Sequence, residues 1–205
     1  DHFRFVRRTP RDSRDPFTVF TVGIFFPHRR FEDLVRAAGI LAAEGRRIRL
    51  RIAGTEAKDP GYAARIRSLA AGQGLEGEVD FLGAVPEGTL LEEYSKADAF
   101  VFPHSPQTWG LAVFEAMACG VPAVVTTGCG ASEVLTDGRD SLLVPPGDPG
   151  AIAGALRRLM DDPALRSALA AEGRRFVEGN IRWDIYAKNM SAELAKAGAR
   201  REAGR

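Results

Sequence analysis

The chain has 205 residues, 45% of them hydrophobic and 27% charged, so it is long enough to bury one hydrophobic core as a globular protein. A formal net charge of +1 gives no reason to expect a nucleic acid or an acidic membrane surface as a partner. The only cysteines, Cys119 and Cys129, make neither a disulfide framework nor a metal quartet, and no apolar run approaches the roughly 18 residues that span a bilayer.

The beginning of the chain has the composition of a linker. Residues 1–16 carry several arginines together with Pro10 and Pro16, and the first residue is Asp1 rather than methionine. We therefore expect the chain to begin near a domain boundary. One folded domain is predicted for residues 17–197, and residues 198–205, which are rich in Ala, Arg and Gly, are predicted to form a disordered tail.

Short apolar runs alternate with segments of helical periodicity along most of the chain. The predicted strands are residues 17–22, 47–52, 79–82, 99–102, 123–125 and 142–144. The predicted helices are residues 31–43, 62–73, 90–96, 151–160, 164–176 and 183–197, with one more that begins near Trp109. This alternation predicts an α/β fold: a Rossmann-like, doubly wound parallel sheet of about six strands with extra C-terminal helices.

The loop after the first predicted strand carries positive charge. It reads GIFFPHRR from Gly23 to Arg30 and lacks the three spaced glycines of a dinucleotide-binding fingerprint, so it does not indicate NAD or FAD. Its Arg29 and Arg30 could bind phosphate, because guanidinium groups donate paired hydrogen bonds to phosphate oxygens. The alternative is a basic turn that is only solvated.

The most informative stretch, residues 101–125, reads VFPHSPQTWGLAVFEAMACGVPAVV. It leaves a strand at the carboxyl edge of the predicted sheet, where open α/β sheets bind ligands, and enters a helix near Trp109, Gly110 and Leu111. The first N–H groups of that helix could hold an anion. Glu115 lies in an apolar part of the helix and needs hydrogen-bond donors such as sugar hydroxyls. The alternative is an acid that only complements the helix dipole.

Residues 115–122, EAMACGVP, resemble the signature of the glycosyl transferases group 1 family, retaining glycosyltransferases of the GT-B fold. That signature has an earlier Glu, separated from the second by seven residues, and Gln107 occupies its place here. In the family the second Glu binds the ribose of a nucleotide sugar and the first reaches the donor sugar. The resemblance implies these roles for Glu115 and Gln107. The amide of Gln107 keeps an acceptor oxygen and gains two donor hydrogens, but it carries no negative charge.

Two further segments resemble the family. The family's counterpart of residues 23–30 reads roughly G-R-x-x-P-x-K-G, so Arg29 occupies the Lys position that clamps the diphosphate and Arg30 replaces the final glycine. The turn at Gly83 and Val85 resembles the one against which the nucleotide base packs, although an ordinary helix entry is the simpler explanation.

The resemblance implies a set of site residues and no metal or cofactor. We expect Gln107, Glu115 and Arg29 to be catalytic. The expected donor-binding residues are Gly23, Arg29, Arg30, Gly83, Val85, His104, Gln107, Trp109, Gly110, Leu111 and Glu115. His104 is included because it directly follows the fourth strand, although a lone loop histidine is usually no catalyst. The two arginines and the helix start would take the place of a metal cation, and the sequence has no Asp-x-Asp pair.

The resemblance implies the donor-binding half of a glycosyltransferase whose substrate is a UDP- or GDP-linked hexose. A carbohydrate or lipid acceptor would bind to an upstream domain absent from this chain, and any membrane contact would be made through that half. This fragment alone is expected to be inactive. The expected location is the cytoplasm, with possible attachment to the inner face of the membrane. Two alternatives stay open: a non-catalytic nucleotide-sugar-binding subunit, and a sugar-nucleotide epimerase or phosphorylase on the same fold.

Overall fold

Six parallel strands form the centre of the structure. The computed structural model describes residues 15–106 and 109–181. The strands are β1 (Phe17–Val22), β2 (Ile48–Ala53), β3 (Val79–Gly83), β4 (Ala99–Phe102), β5 (Ala123–Thr126) and β6 (Leu142–Val144). They pair in the order β3-β2-β1-β4-β5-β6, and every pair is parallel. The predicted Rossmann-like sheet is confirmed, and each strand end lies within one residue of its predicted place.

Four helices connect the first five strands, a 3-10 helix (Gly130–Glu133) lies between β5 and β6, and in the described residues two helices follow β6. The α-helices are α1 (Phe31–Ala43), α2 (Pro60–Gly72), α3 (Glu87–Lys96), α4 (Leu111–Ala118), α5 (Pro149–Asp161) and α6 (Pro163–Asn180). In the part of the chain that the structure describes, none of them is long and apolar enough to cross a membrane. The predicted helix at residues 183–197, the predicted tail and residues 1–14 of the predicted linker lie outside the described residues.

Aspartates that precede prolines start three of these helices. The side chains of Asp59, Asp148 and Asp162 each accept a hydrogen bond from a backbone N–H three residues later, at 2.7 to 2.8 Å. Proline suits the first helical turn because that turn needs no N–H donor. Helices α2 and α5 each begin two residues earlier than predicted, because Asp59 and Asp148 cap them.

The sheet separates two hydrophobic clusters. Helices α1, α2 and α5 cover one face, where β1 places Val19 and β4 places Val101. Helices α3 and α4 cover the other face, where the same two strands place Phe20 and Phe100. Helices thus cover both faces of the sheet, which agrees with the short apolar runs of the central strands.

The carboxyl ends of β1, β2 and β3 approach one another at three glycines. The N–H of Gly23 donates to the carbonyl of Ala53 at 2.9 Å, and the N–H of Gly54 donates to the carbonyl of Gly83 at 2.7 Å. Gly54 has a φ of +146°, and a Cβ atom at this position would lie 1.8 Å from the carbonyl oxygen of Gly23. Only glycine fits at position 54, and its contacts hold the loops after β1 and β3 next to each other.

Gly54→Ala should destabilise the protein more than the matched substitution Gly45→Ala. Gly45 also has a positive φ, +76°, but nothing lies within 4 Å of a Cβ atom built there. Gly45→Ala adds only backbone strain, about 1 to 2 kcal/mol, whereas Gly54→Ala adds a steric clash, for a total of about 2 to 5 kcal/mol. Urea denaturation measures both free energies of unfolding. Equal losses would contradict the close approach of Gly54 to Gly23.

Candidate functional site

The loop between β1 and α1 is anchored by a buried phenylalanine. The ring centroid of Phe25 lies 4.9 Å from that of Phe31 and 6.2 Å from that of Phe81. Its backbone N–H donates to the carbonyl of Thr55 at 2.9 Å. These contacts give the loop that carries Arg29 a defined shape. Phe25 was not identified from the sequence, because it is one of three consecutive large apolar residues, Ile24, Phe25 and Phe26, and nothing local shows which of them is buried.

Arg29 and His104 meet where the loops after β1 and β4 adjoin. The guanidinium Nη1 of Arg29 donates to Nδ1 of His104 at 2.9 Å. Burial, together with the charge of Arg29, holds the pKa of the His104 imidazole well below its ordinary value. Because Arg29 can only donate, Nδ1 must carry a lone pair, so the ring is neutral and its proton lies on Nε2. Nε2 is buried and has no hydrogen-bond partner among the described residues.

Gly23 provides room for this pair. A Cβ atom at position 23 would lie 3.1 Å from Cε1 of His104 and 3.3 Å from Cδ of Arg29. Both distances are tighter than ordinary van der Waals contacts, so a larger residue would push against both side chains. Gly23 was expected to bind a donor, and the structure places it against Arg29 and His104.

Hydrogen bonds join the loops that follow β1 and β4 to each other and to the last residue of β5. The hydroxyl of Thr126 donates to the carbonyl of His104 at 2.6 Å. The N–H of Ser105 donates to the carbonyl of His28 at 2.9 Å. The carboxyl edge of the sheet is thus bonded across three neighbouring strands, which holds the backbone around Arg29 and His104 in place.

Arg30 forms an ion pair with α1. Its Nε donates to Oδ2 of the buried Asp33 at 2.6 Å, and this hydrogen bond raises the pKa of Arg30. The backbone of Arg30 is left-handed, with φ +50° and ψ +39°, which explains why the resembled motif has glycine at this place. Of the two predicted clamp residues, the structure brings Arg29 to His104 and pairs Arg30 with Asp33.

Helix α4 begins at Leu111, within the predicted range, after a glycine with a left-handed backbone. Gly110 has a φ of +100°, and a Cβ atom there would lie 3.0 Å from the ring of Phe102. The carbonyl of Trp109 accepts a hydrogen bond from the N–H of Ala131 at 2.7 Å. The first N–H groups of a helix have no acceptor within the helix, so this end of α4 could bind an anion.

Glu115 is half-buried on α4 and is held by a tyrosine from α3. The hydroxyl of the buried Tyr94 donates to Oε2 of Glu115 at 3.0 Å. Burial raises the pKa of Glu115, the hydrogen bond from Tyr94 lowers it, and the negative charge of Glu87 raises it, with an increase as the net result. Tyr94 was not identified from the sequence. Its signal is that a buried tyrosine hydroxyl needs a partner, but 21 residues separate it from Glu115.

The turn from β3 into α3 lies beside α4. The carbonyl of Gly83 accepts a hydrogen bond from Gly54, and Val85 packs against the hydrophobic cluster shared by α3 and α4. Glu87, the first residue of α3, is near enough to Glu115 to raise the pKa of its carboxyl. The turn that was predicted to contact a base therefore leads into the helix whose Tyr94 bonds Glu115.

A series of contacts connects Arg29 to the start of α4. The ring centroids of His104 and Phe102 lie 3.7 Å apart, and Phe102 packs against Gly110. The strand order reverses between β1 and β4, which is where ligands bind to open α/β sheets. Gln107 lies outside the described residues. The donor-binding roles of all the predicted site residues stay predictions.

Residues 15–106 and 109–181 contain neither a candidate metal site nor an exposed thiol. No group of three or more His, Cys, Asp or Glu side chains in these ranges could hold a metal ion. Cys119 and Cys129 are buried free cysteines, and burial raises the pKa of Cys119 to about 11. A thiol with a raised pKa is a poor nucleophile near neutral pH.

The sequence profile of the family described as glycosyl transferases group 1 matches residues 3–176. The chain belongs to this family. The match includes the loop of Arg29 and the helix of Glu115, so it confirms the resemblance inferred from residues 115–122.

The curated relatives of this chain are named as several different enzymes. The exopolysaccharide phosphotransferase from Streptomyces coelicolor is 32% identical over 199 residues, which cover 94% of this chain and 20% of that protein. The D-inositol 3-phosphate glycosyltransferase from Thermomonospora curvata is 30% identical over 176 residues, which cover 83% of this chain and 41% of that protein. A third relative, from Corynebacterium glutamicum, is the GDP-mannose-dependent monoacylated alpha-(1-6)-phosphatidylinositol monomannoside mannosyltransferase. It is 32% identical over 137 residues, which cover 63% of this chain and 35% of that protein.

A solved structure of sucrose-phosphate synthase from Thermosynechococcus elongatus has the same fold. It superimposes with a TM-score of 0.77 at 30% identity, and the match covers 92% of this chain and 47% of that protein. The chain therefore spans less than half of the length of this enzyme and of each of the three curated relatives.

Tyr94→Phe should raise the pKa of Glu115. The substitution keeps the ring whose centroid lies 5.2 Å from that of Phe20 and removes only the hydroxyl that stabilises the carboxylate. NMR titration of the Glu115 carboxyl measures the change. Tyr62→Phe is the matched control, because the hydroxyl of Tyr62 donates to Glu32, and it should leave the pKa of Glu115 unchanged. An unchanged pKa in Tyr94→Phe would contradict the hydrogen bond.

Proposed function

We propose that this chain binds the sugar donor of a retaining glycosyltransferase, a UDP- or GDP-linked hexose. The observation that carries the proposal is the arrangement of Arg29, the start of α4 and Glu115 along one edge of a Rossmann-like sheet. Membership of the family supports glycosyl transfer as the activity. The name of the C. glutamicum relative states that it depends on GDP-mannose, which supports a nucleotide-diphosphate sugar as the donor class.

Arg29 and the start of α4 would bind the diphosphate. The guanidinium offers paired N–H donors to phosphate oxygens, and the helix adds the positive end of its dipole. Negative charge develops on the diphosphate as it departs, and preorganised donors stabilise this transition state more than the bound substrate. We therefore propose that the transfer needs no metal ion. Arg30 would contribute only after its guanidinium left Asp33.

Glu115 would accept hydrogen bonds from the ribose hydroxyls. Its Oε2 already accepts the hydroxyl of Tyr94, and partial burial strengthens electrostatic hydrogen bonds because it lowers the local dielectric constant. The turn at Gly83 and Val85, which leads into the helix of Tyr94, would pack against the base. The exposed ring of Trp109 would add aromatic surface at the start of α4.

Gln107 would contact the hydroxyl groups of the transferred hexose. Its amide can accept and donate hydrogen bonds, but it would stabilise positive charge at the anomeric carbon less than a carboxylate does. The acceptor, a carbohydrate, a lipid or a small molecule, would bind to the part of the full-length enzyme that this chain does not match. The curated relatives are more than twice as long as the segment that matches this chain, which leaves room for such a site.

Isothermal titration calorimetry of the chain with UDP-glucose and GDP-mannose tests the proposal. Glu115→Ala should weaken donor binding about 10- to 150-fold, because the loss of charge-assisted hydrogen bonds costs about 1.5 to 3 kcal/mol. Glu92→Ala is the matched control, since the side chain of Glu92 is 67% exposed and pairs with Lys96, and it should bind as the unmodified chain does. The proposal would be refuted if the chain bound neither nucleotide sugar at millimolar concentration, or if Glu115→Ala left the affinity unchanged.

A further inference from the structure

We propose that His104 is a positioning residue for diphosphate binding, because its neutral ring holds the guanidinium of Arg29 in place and adds no negative charge. The inference rests on the proposed function and extends it to a side chain that has no exposed surface. His104 would therefore act through Arg29 and would not touch the donor itself.

The ring of His104 is a fixed acceptor. Its centroid lies 3.7 Å from that of Phe102 and 5.9 Å from that of Phe31, and its backbone carbonyl accepts the hydroxyl of Thr126 at 2.6 Å. Nδ1 therefore presents its lone pair to Arg29 in one direction, at 2.9 Å. A hydrogen bond with one charged partner is shorter and stronger than one between neutral groups.

A neutral acceptor suits a guanidinium that must bind an anion. A carboxylate at the same place would compete with the phosphate, as the carboxylate of Asp33 would for the neighbouring Arg30. The imidazole of His104 accepts one hydrogen bond from Arg29 and brings no opposing charge. It can thus orient the guanidinium without neutralising it.

His104 also has a cost that an apolar residue would not have. Its Nε2 is buried and makes no hydrogen bond within the described part of the chain, and an unsatisfied buried donor lowers stability. An apolar side chain between Phe31 and Phe102 would fill this space without that cost. Buried polar groups without a hydrogen-bond partner occur mainly at functional sites. The buried imidazole of His104 is therefore evidence for a role in binding.

The test compares His104→Asn with His104→Leu in the full chain. The amide oxygen of Asn can take the place of Nδ1 as acceptor, whereas Leu fills the volume and removes the acceptor. In calorimetry, His104→Leu should bind UDP and GDP about tenfold more weakly than the unmodified chain, and His104→Asn should retain most of the affinity. Uridine and guanosine have no phosphate, so their affinities should not change in either variant.

Arg29→Ala provides the second comparison. In that background His104→Leu should cause no further loss of UDP or GDP affinity, because the group that His104 positions is absent. If His104 had a purely structural role, His104→Leu would instead weaken the binding of nucleosides and of nucleotides by the same factor. If His104→Leu does not fold, as judged by circular dichroism, Gly23→Ala replaces it, because a Cβ atom there would press on both His104 and Arg29.

Two sets of results distinguish the possible failures. If the unmodified chain binds neither UDP nor GDP, the proposed function and this inference are both overturned. If binding depends on Glu115 and Arg29 but His104→Leu binds as tightly as the unmodified chain, the inference alone is overturned. It is also overturned if His104→Leu weakens binding equally with and without Arg29, or if His104→Asn folds but restores no affinity.

Discussion

The pairing of β1 with β4 is the constraint on which the site depends. Val19 lies opposite Ala99 and Phe20 lies opposite Phe100, so the loops after the two strands leave the sheet next to each other. The helices that follow, α1 and α4, lie on opposite faces of the sheet, and open α/β sheets bind ligands where two such connections diverge. Residues 75 positions apart in the chain come within hydrogen-bonding distance only because of this pairing.

Both charged side chains proposed to bind the donor are oriented by neutral groups. The imidazole of His104 accepts from Arg29, and the hydroxyl of Tyr94 donates to Glu115. Arg30, by contrast, is paired with the carboxylate of Asp33. A neutral partner fixes the direction of a charged group without cancelling its charge, which preserves the attraction for a ligand of opposite charge or for hydroxyl groups. The fold therefore gives two adjacent arginines partners of different charge.

Much of the fold and part of the site could be predicted from the sequence because their signals are local. Short apolar runs, and in β2 the alternation of arginine with Ile and Leu, predicted the strands, and the spacing of apolar residues predicted the helices that cover them. A basic loop and an acid on a short apolar helix, both placed at the carboxyl edge of the sheet, indicated Arg29 and Glu115. The resemblance to the glycosyl transferases group 1 family then assigned roles to these residues, and the family profile confirmed the resemblance.

The sequence by itself determined the succession of strands and helices along the chain, the charge of the loop after β1 and the position of an acidic residue on α4. Only the tertiary structure decided that Tyr94 holds Glu115, that His104 accepts from Arg29 and that Gly54 must lack a side chain. Periodicity and turn chemistry act between residues close in the chain, so they can be recognised there. Hydrogen-bond partners and the space beside a backbone depend on which strands become neighbours, and that is settled only when the sheet assembles.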